Sequence, residues 1–98
     1  MVRVIMGHKA KSGVDMEPIL LKLSNQERQY PGFINSENLL SERDNSIVVT
    51  ISTWEKAEDW KEWESSQIRQ QLYHDAETIL DDKPRVQMYR IIETQRWV

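Results

Sequence analysis

Few side chains in this chain can do chemistry of their own. Among 98 residues there are two histidines, His8 and His74, and no cysteine. Without cysteine there is no disulfide, thiolate metal site, CxxC redox pair or cysteine nucleophile. Two histidines far apart in sequence make no recognisable ligand spacing, so no bound metal is expected. The remaining candidates are Tyr73 beside His74, the pair Trp60 and Trp63 one helical turn apart, and Arg90 among Val86, Met88 and Ile92. An arginine on an apolar strand face needs a carboxylate or a ligand anion. An edge or interchain pair with Glu37 would satisfy it as well as a substrate would.

These residues need elements to position them. Val2 to Lys9 is strand-compatible and runs into the breaker Lys11-Ser12-Gly13, so a first strand is predicted. Its period of two places His8 with Val2, Val4 and Met6, near the strand's end. Asp15 can cap a helix whose first turn tolerates Pro18. Met16, Ile19, Leu20, Leu23 and Tyr30 then share one stripe. Tyr30-Pro31-Gly32-Phe33 ends that helix, because Pro31 disfavours helical backbone before it and Gly32 permits a sharp turn.

Phe33–Ser41 and Ser46–Trp54 read as a hairpin around Glu42-Arg43-Asp44-Asn45. The unbroken apolar run Ile47-Val48-Val49-Thr50-Ile51 marks a strand covered on both faces and therefore central. A helical stretch from Glu55 to about Asp81 carries Ala57, Trp60, Ile68, Leu72, Ala76 and Ile79 on helical spacing. Ser65-Ser66 interrupts it, which predicts a bend or a break into two helices. Arg85 to Glu93 completes the set as a last strand. The order β-α-β-β-α-β is that of a ferredoxin-like α+β fold, a four-stranded antiparallel sheet with both helices on one side. Since strands one, three and four carry apolar groups on both faces, a second copy is expected to cover the other face as a homodimer.

With 39 % hydrophobic and 30 % charged residues, the chain is one domain with no room for a second. The net charge of -3, with both signs interspersed, gives no footprint for nucleic acid or an anionic membrane. An RNA-binding domain of the same element order needs exposed aromatics on its third strand, and Ile47 to Thr53 has none. No apolar run approaches membrane-spanning length. Met1 to Met6 does not open a signal peptide, and a cytoplasmic location is expected.

The segment Ile51-Ser52-Thr53-Trp54-Glu55-Lys56-Ala57-Glu58-Asp59-Trp60-Lys61-Glu62-Trp63-Glu64-Ser65-Ser66 resembles the signature of antibiotic biosynthesis monooxygenase (ABM) domains. There a strand ends in an aromatic, and a helix carries an aromatic, then Trp, then Ser. Tyr30-Pro31-Gly32-Phe33 is similar to the family's turn into its second strand, so the likeness covers almost the whole chain. The resemblance implies a dimeric α+β barrel with a pocket in each subunit between sheet and helices. It further implies a cofactor-free monooxygenase acting on a planar phenolic or quinol-type small molecule; since fold does not fix function, the alternative is a non-catalytic dimeric module that binds a small molecule, haem among the candidates, or regulates.

Cofactor-free oxygenation asks for an electron-rich phenolate, a dry pocket, a base or hydrogen-bond partner for the phenol and a donor that stabilises reduced oxygen. The resemblance then offers Trp63, Trp60 and Phe33 as walls, Tyr73, His74 and His8 as proton-handling groups, and Arg90 as the stabilising cation. A haem-degrading branch of the family has an Asn on the first strand, a helical Trp and an iron-ligating His about ten residues later. Trp63 matches the Trp, but Tyr73 stands at the ligand spacing, and the first strand offers only Gly7 and His8. His74 follows one residue on, about 100° around the helix. Beside these roles stand plainer ones: Trp60 and Trp63 as core packing, His74 beside Asp75 as a solvated surface residue, and Trp97 as an anchor for the C-terminus.

Overall fold

The computed structural model describes residues 1 to 96, so Trp97 lies outside the described residues. The elements are β1 Val2–Lys9, α1 Glu17–Glu27, β2 Phe33–Leu40, β3 Ile47–Trp54, α2 Ala57–Glu64, α3 Gln67–Asp75 and β4 Arg85–Arg90. The four strands form one antiparallel sheet in the order β2-β3-β1-β4. This is the expected ferredoxin-like α+β architecture, with the second helical stretch divided in two. The unbroken apolar run of β3 does sit inside the sheet.

Ser65-Ser66 divides that stretch by a specific exchange of hydrogen bonds. Ser65 Oγ donates to the Lys61 carbonyl at 2.9 Å and Ser66 Oγ to the Trp63 carbonyl at 2.7 Å, which satisfies the end of α2 by side chains. Ser66 then turns extended and its Oγ accepts from Arg69 N–H at 3.3 Å as the N-cap of α3. The elements differ from the sequence reading at four points. Helix α3 ends at Asp75 and β4 at Arg90. Asp15 does not cap α1; its carboxylate accepts from Glu17 N–H at 2.9 Å one residue ahead of the Met16 N-cap. Tyr30 falls beyond the end of α1 at Glu27, yet still packs against the core.

The register of β1 against β3 and β4 puts Val2, Val4, Met6 and His8 beside Trp54, Ser52, Thr50 and Val48 on one side and Arg90, Met88 and Val86 on the other. That face meets the helices. The main core joins Val2, Val4, Met6 and Leu23 to Trp54, Trp60 and Trp63, and a smaller cluster holds Ala10, Met16, Leu20 and Val48. Trp54 Nε1 donates to Ser52 Oγ at 3.1 Å, which accounts for a buried serine in an apolar layer. The opposite sheet face carries Ile5, Ile47, Val49, Ile51, Leu39 and Tyr89, and among the described residues no helix covers it.

At the turn into β2, Gly32 has φ +86° and its carbonyl accepts from Glu55 N–H at 2.8 Å. A Cβ there would overlap the Asp59 side chain at the start of α2. Gly32→Ala should therefore cost about 1 to 3 kcal/mol in urea unfolding. A loss below measurement error would show that the turn relaxes freely.

Candidate functional site

The alternation of β1 brings His8 under the helices, where it is 3 % exposed. Its Nε2 shares a hydrogen bond of 2.8 Å with the Tyr73 hydroxyl, and the two rings lie parallel with centroids 5.9 Å apart. Nδ1 of His8 has no partner. Tyr73 comes from the last full turn of α3, and Arg69 stands one turn before it. The Arg69 guanidinium lies 4.7 Å from the Tyr73 ring centre and 5.9 Å from that of Trp60. Its Nη1 donates to the Glu64 carbonyl at 3.3 Å. Among the described residues no carboxylate forms an ion pair with it.

The fourth member is Glu27. It ends the buried stripe of α1 after Leu20 and Leu23, is 7 % exposed, and its Oε1 has no partner. Together with Trp63, Met6 and Leu23 these groups line a small, partly open cavity of about 20 Å³, roughly the room one water needs. The remaining wall is polar: Thr50 Oγ1 donates to Asn38 Oδ1 at 2.7 Å and Asn38 Nδ2 to Ser24 Oγ at 3.4 Å.

Burial sets the electrostatics. It pushes the Glu27 carboxyl up from its usual 4.5 to about 7, against the opposing pull of Arg69 and the Trp63 side chain. It pushes the Tyr73 hydroxyl up to about 12, with Arg69 again opposing, so Tyr73 is a neutral phenol. It holds His8 below its usual 6.5 against the opposing pull of the Val48 backbone, and the nearby Arg69 charge adds to the lowering. The cavity therefore contains an imidazole whose protonation burial disfavours, a neutral phenol, a guanidinium and a carboxyl poised near neutrality. Outside it, a surface groove of about 680 Å³ between α3 and β4 shares Arg69 and Tyr73 as its inner wall. A wider groove of about 1130 Å³ lies at the other end of the sheet, along exposed residues such as Lys11, Asp15 and Leu40, and holds none of this chemistry.

The family model for antibiotic biosynthesis monooxygenase matches residues 1–75. The chain belongs to the antibiotic biosynthesis monooxygenase family. That match covers every cavity residue from Met6 to Tyr73. No curated protein matches the chain. A crystal structure of an antibiotic biosynthesis monooxygenase superposes with TM-score 0.83 at 16 % identity, covering 95 % of this chain and 100 % of that one. SnoaB from Streptomyces nogalater, a cofactor-independent oxygenase, gives 0.83 at 12 % identity over 95 % and 94 %. Rv0793 from Mycobacterium tuberculosis gives 0.84 at 12 % over 97 % and 98 %. At these identities the structural likeness speaks for the fold.

Within this ABM domain the sequence candidates separate. Trp63, Tyr73 and His8 meet at the cavity. Trp60 is buried behind it in the core with its indole N–H unpartnered, and Phe33 packs edge-on against Trp54, centroids 5.3 Å apart; neither lines the cavity. His74 points outward, its side chain 70 % exposed and its Nδ1 3.6 Å from Glu77 Oε1, because one residue along α3 turns it away from Tyr73. Arg90 is exposed at the end of β4, beside Val2 in register and remote from the cavity. Glu37 cannot partner it within the chain, since β2 and β4 are opposite edges of the sheet.

Glu27 and Arg69 were not found by sequence reasoning. Glu27 continues the spacing of Leu20 and Leu23, so a carboxylate on a buried stripe was the available signal. Arg69 gave none, because a cation in a polar helix is ordinarily solvated. A haem does not fit these residues. The residue at the ligand spacing is Tyr73, whose hydroxyl already bonds His8, and His74 faces solvent. Among the described residues no group of three or more His, Cys, Asp or Glu is placed to hold a metal ion.

Folded Glu27 keeps its proton to about pH 7, whereas the unfolded chain releases it near 4.5. The folded state thus binds more protons between those values, and stability falls as pH rises through them. The loss should approach roughly 3 kcal/mol by neutrality and then level off. Glu27→Gln should lack it, while the His8 contribution is common to both proteins. Urea unfolding of the two across this window measures the difference, and parallel profiles would mean that Glu27 ionises as an ordinary carboxylate.

Proposed function

We propose that this protein is a cofactor-independent monooxygenase that oxidises a planar phenolic or quinol-type small molecule to a quinone with molecular oxygen. The observation that carries the reading is the hydrogen-bonded pair of buried His8 and half-buried Tyr73 in one cavity with Trp63 and with Arg69, which has no carboxylate ion pair among the described residues. In such a reaction the phenol loses its proton and the phenolate gives electrons to oxygen. One oxygen atom then becomes the new carbonyl and the other leaves as water. Tyr73 and His8 supply a hydrogen-bonding edge for the substrate oxygen, and Trp63 supplies a flat wall. Arg69 places a cation where reduced oxygen develops negative charge. Trp60 and Phe33 support these walls from behind, and His74 and Arg90 have no part in the chemistry. ABM membership and the likeness in fold to SnoaB support the reading.

A non-catalytic binding module is the competing function, because the fold does not fix the chemistry; with a volume of about 20 Å³ against the roughly 300 Å³ of an ordinary ligand pocket, the cavity must widen around a ligand in either case. Oxygen uptake with peri-dihydroxynaphthalene separates the two. A monooxygenase should consume oxygen, release the hydroxynaphthoquinone and ignore chelators, and Tyr73→Phe should lose roughly tenfold or more in kcat/KM. Saturable binding without uptake, or uptake that needs added flavin or metal, would sink the enzyme reading.

We also propose that the chain works as a homodimer joined through the outer sheet face. That face groups Ile5, Val49 and Ile51 across neighbouring strands, and an apolar patch of this kind marks an interaction surface. A cytoplasmic setting fits a chain without cysteine; among the described residues no helix is long and apolar enough to cross a membrane. Native mass spectrometry at micromolar concentration should give a dimer, and Val49→Lys, which desolvates a charge at that interface, should give a monomer. A wild-type monomer would remove the proposal.

A further inference from the structure

The Tyr73 and His8 pair, Trp63 and Arg69 leave one ionisable group of the cavity without a task. Glu27 lines the space at 7 % exposure, its Oε1 has no partner, and no cation forms an ion pair with it among the described residues. A carboxyl buried in this way is costly unless something satisfies it. We propose that Glu27 is the proton-accepting residue of the site, its carboxylate taking first the hydrogen bond and then the proton of a phenolic ligand's hydroxyl group. The assignment rests on the monooxygenase reading of the same cavity.

The rival bases are weaker or engaged. His8 has committed Nε2 to Tyr73, and burial that lowers the basicity of an imidazole raises that of a carboxylate. Tyr73 is held as a neutral phenol, and His74 is in solvent. An ordinary carboxylate is a poor match for a phenol whose proton leaves near pH 10, and a carboxyl near neutrality closes about half of that gap. Arg69 favours the phenolate that results.

The proton account closes. The hydroxyl O–H bond breaks toward Glu27 and its electron pair stays on the phenolate. The ring adds molecular oxygen at carbon, and Glu27 returns the proton to the distal oxygen of the peroxide. Glu27 then takes the proton of that ring carbon as the O–O bond breaks, and hands it to the departing hydroxide. The products are the quinone and water, with Glu27 restored.

Facing Glu27 are His8 from β1, Arg69 and Tyr73 from α3, Trp63 from α2, Asn38 from β2 and Thr50 from β3. Of these His8 is the other titratable imidazole, its protonation disfavoured by burial, so the part of a pH effect that is lost in Glu27→Gln belongs to Glu27. The probe is α-naphthol, whose hydroxyl remains protonated over that range. Its affinity for the wild type should rise about tenfold from about pH 5.5 to 8.5, since a carboxylate accepts the hydroxyl better than a carboxylic acid does. Glu27→Gln should give a flat profile and Glu27→Asp should keep the rise. Carboxyl carbon NMR of the wild type, which needs no variant to fold, should show Glu27 titrating at lower pH once naphthol is bound. With peri-dihydroxynaphthalene, Glu27→Gln should lose roughly a hundredfold in kcat and much less in KM.

A flat wild-type profile, or a rise that survives in Glu27→Gln, would overturn the assignment. Undiminished oxygen uptake by Glu27→Gln would overturn it and leave the monooxygenase reading standing. A Glu27-dependent rise without oxygen uptake would support Glu27 as the ligand's hydrogen-bond acceptor and sink the monooxygenase reading. No naphthol binding at any pH would remove both.

Discussion

The register of β1 between β3 and β4 is the constraint on which the other features rest. Two neighbours fix its alternation, and a slip by one residue would exchange every inward side chain for an outward one. Val2, Val4 and Met6 anchor the phase through burial beneath the helices. His8, two residues beyond Met6, is carried inward by the same phase. A polar ring therefore enters the interior as a by-product of an apolar pattern, and α3 answers it with the one hydroxyl that can reach.

The helical layer is built around that demand. Ser66 closes α2 and opens α3 with a single side chain, which sets the direction in which Arg69 and Tyr73 descend. Arg69 is pinned at its other end by the Glu64 carbonyl, so the cation is held by backbone rather than by a countercharge. Trp54 and Trp60 fill the space behind, and Trp63 joins them as a wall of the cavity. Their large rigid rings back a region that gathers a carboxyl from α1, an imidazole from β1 and a guanidinium from α3.

Much of this was legible in the sequence, for reasons that differ by residue. The strands showed in period-two patterns, the central position of β3 in its unbroken apolar run, and the helix break in Ser65-Ser66. His8 could be placed because strand alternation is a two-valued choice. His74 and Arg90 show the opposite case: their chemistry suggested a site, but helix rotation and an edge-strand position put them in solvent. Glu27 was hidden because a stripe search collects apolar residues and passes over the charged one that completes it. Arg69 was hidden because its role depends on which helix face meets β1, a tertiary fact that spacing within α3 does not contain.

Burying a carboxyl with one oxygen left unpartnered beside Leu20 and Leu23 also sets this fold against its own robustness. Leucine at position 27 would extend the stripe of α1, remove a desolvated acid and improve the core by ordinary packing rules. Selection for endurance alone, whether by heat, denaturant or drift in a lineage that no longer needs the pocket, would therefore tend to erase this residue early. Its retention or loss among descendants of this chain would serve as a record of whether the cavity was still in use.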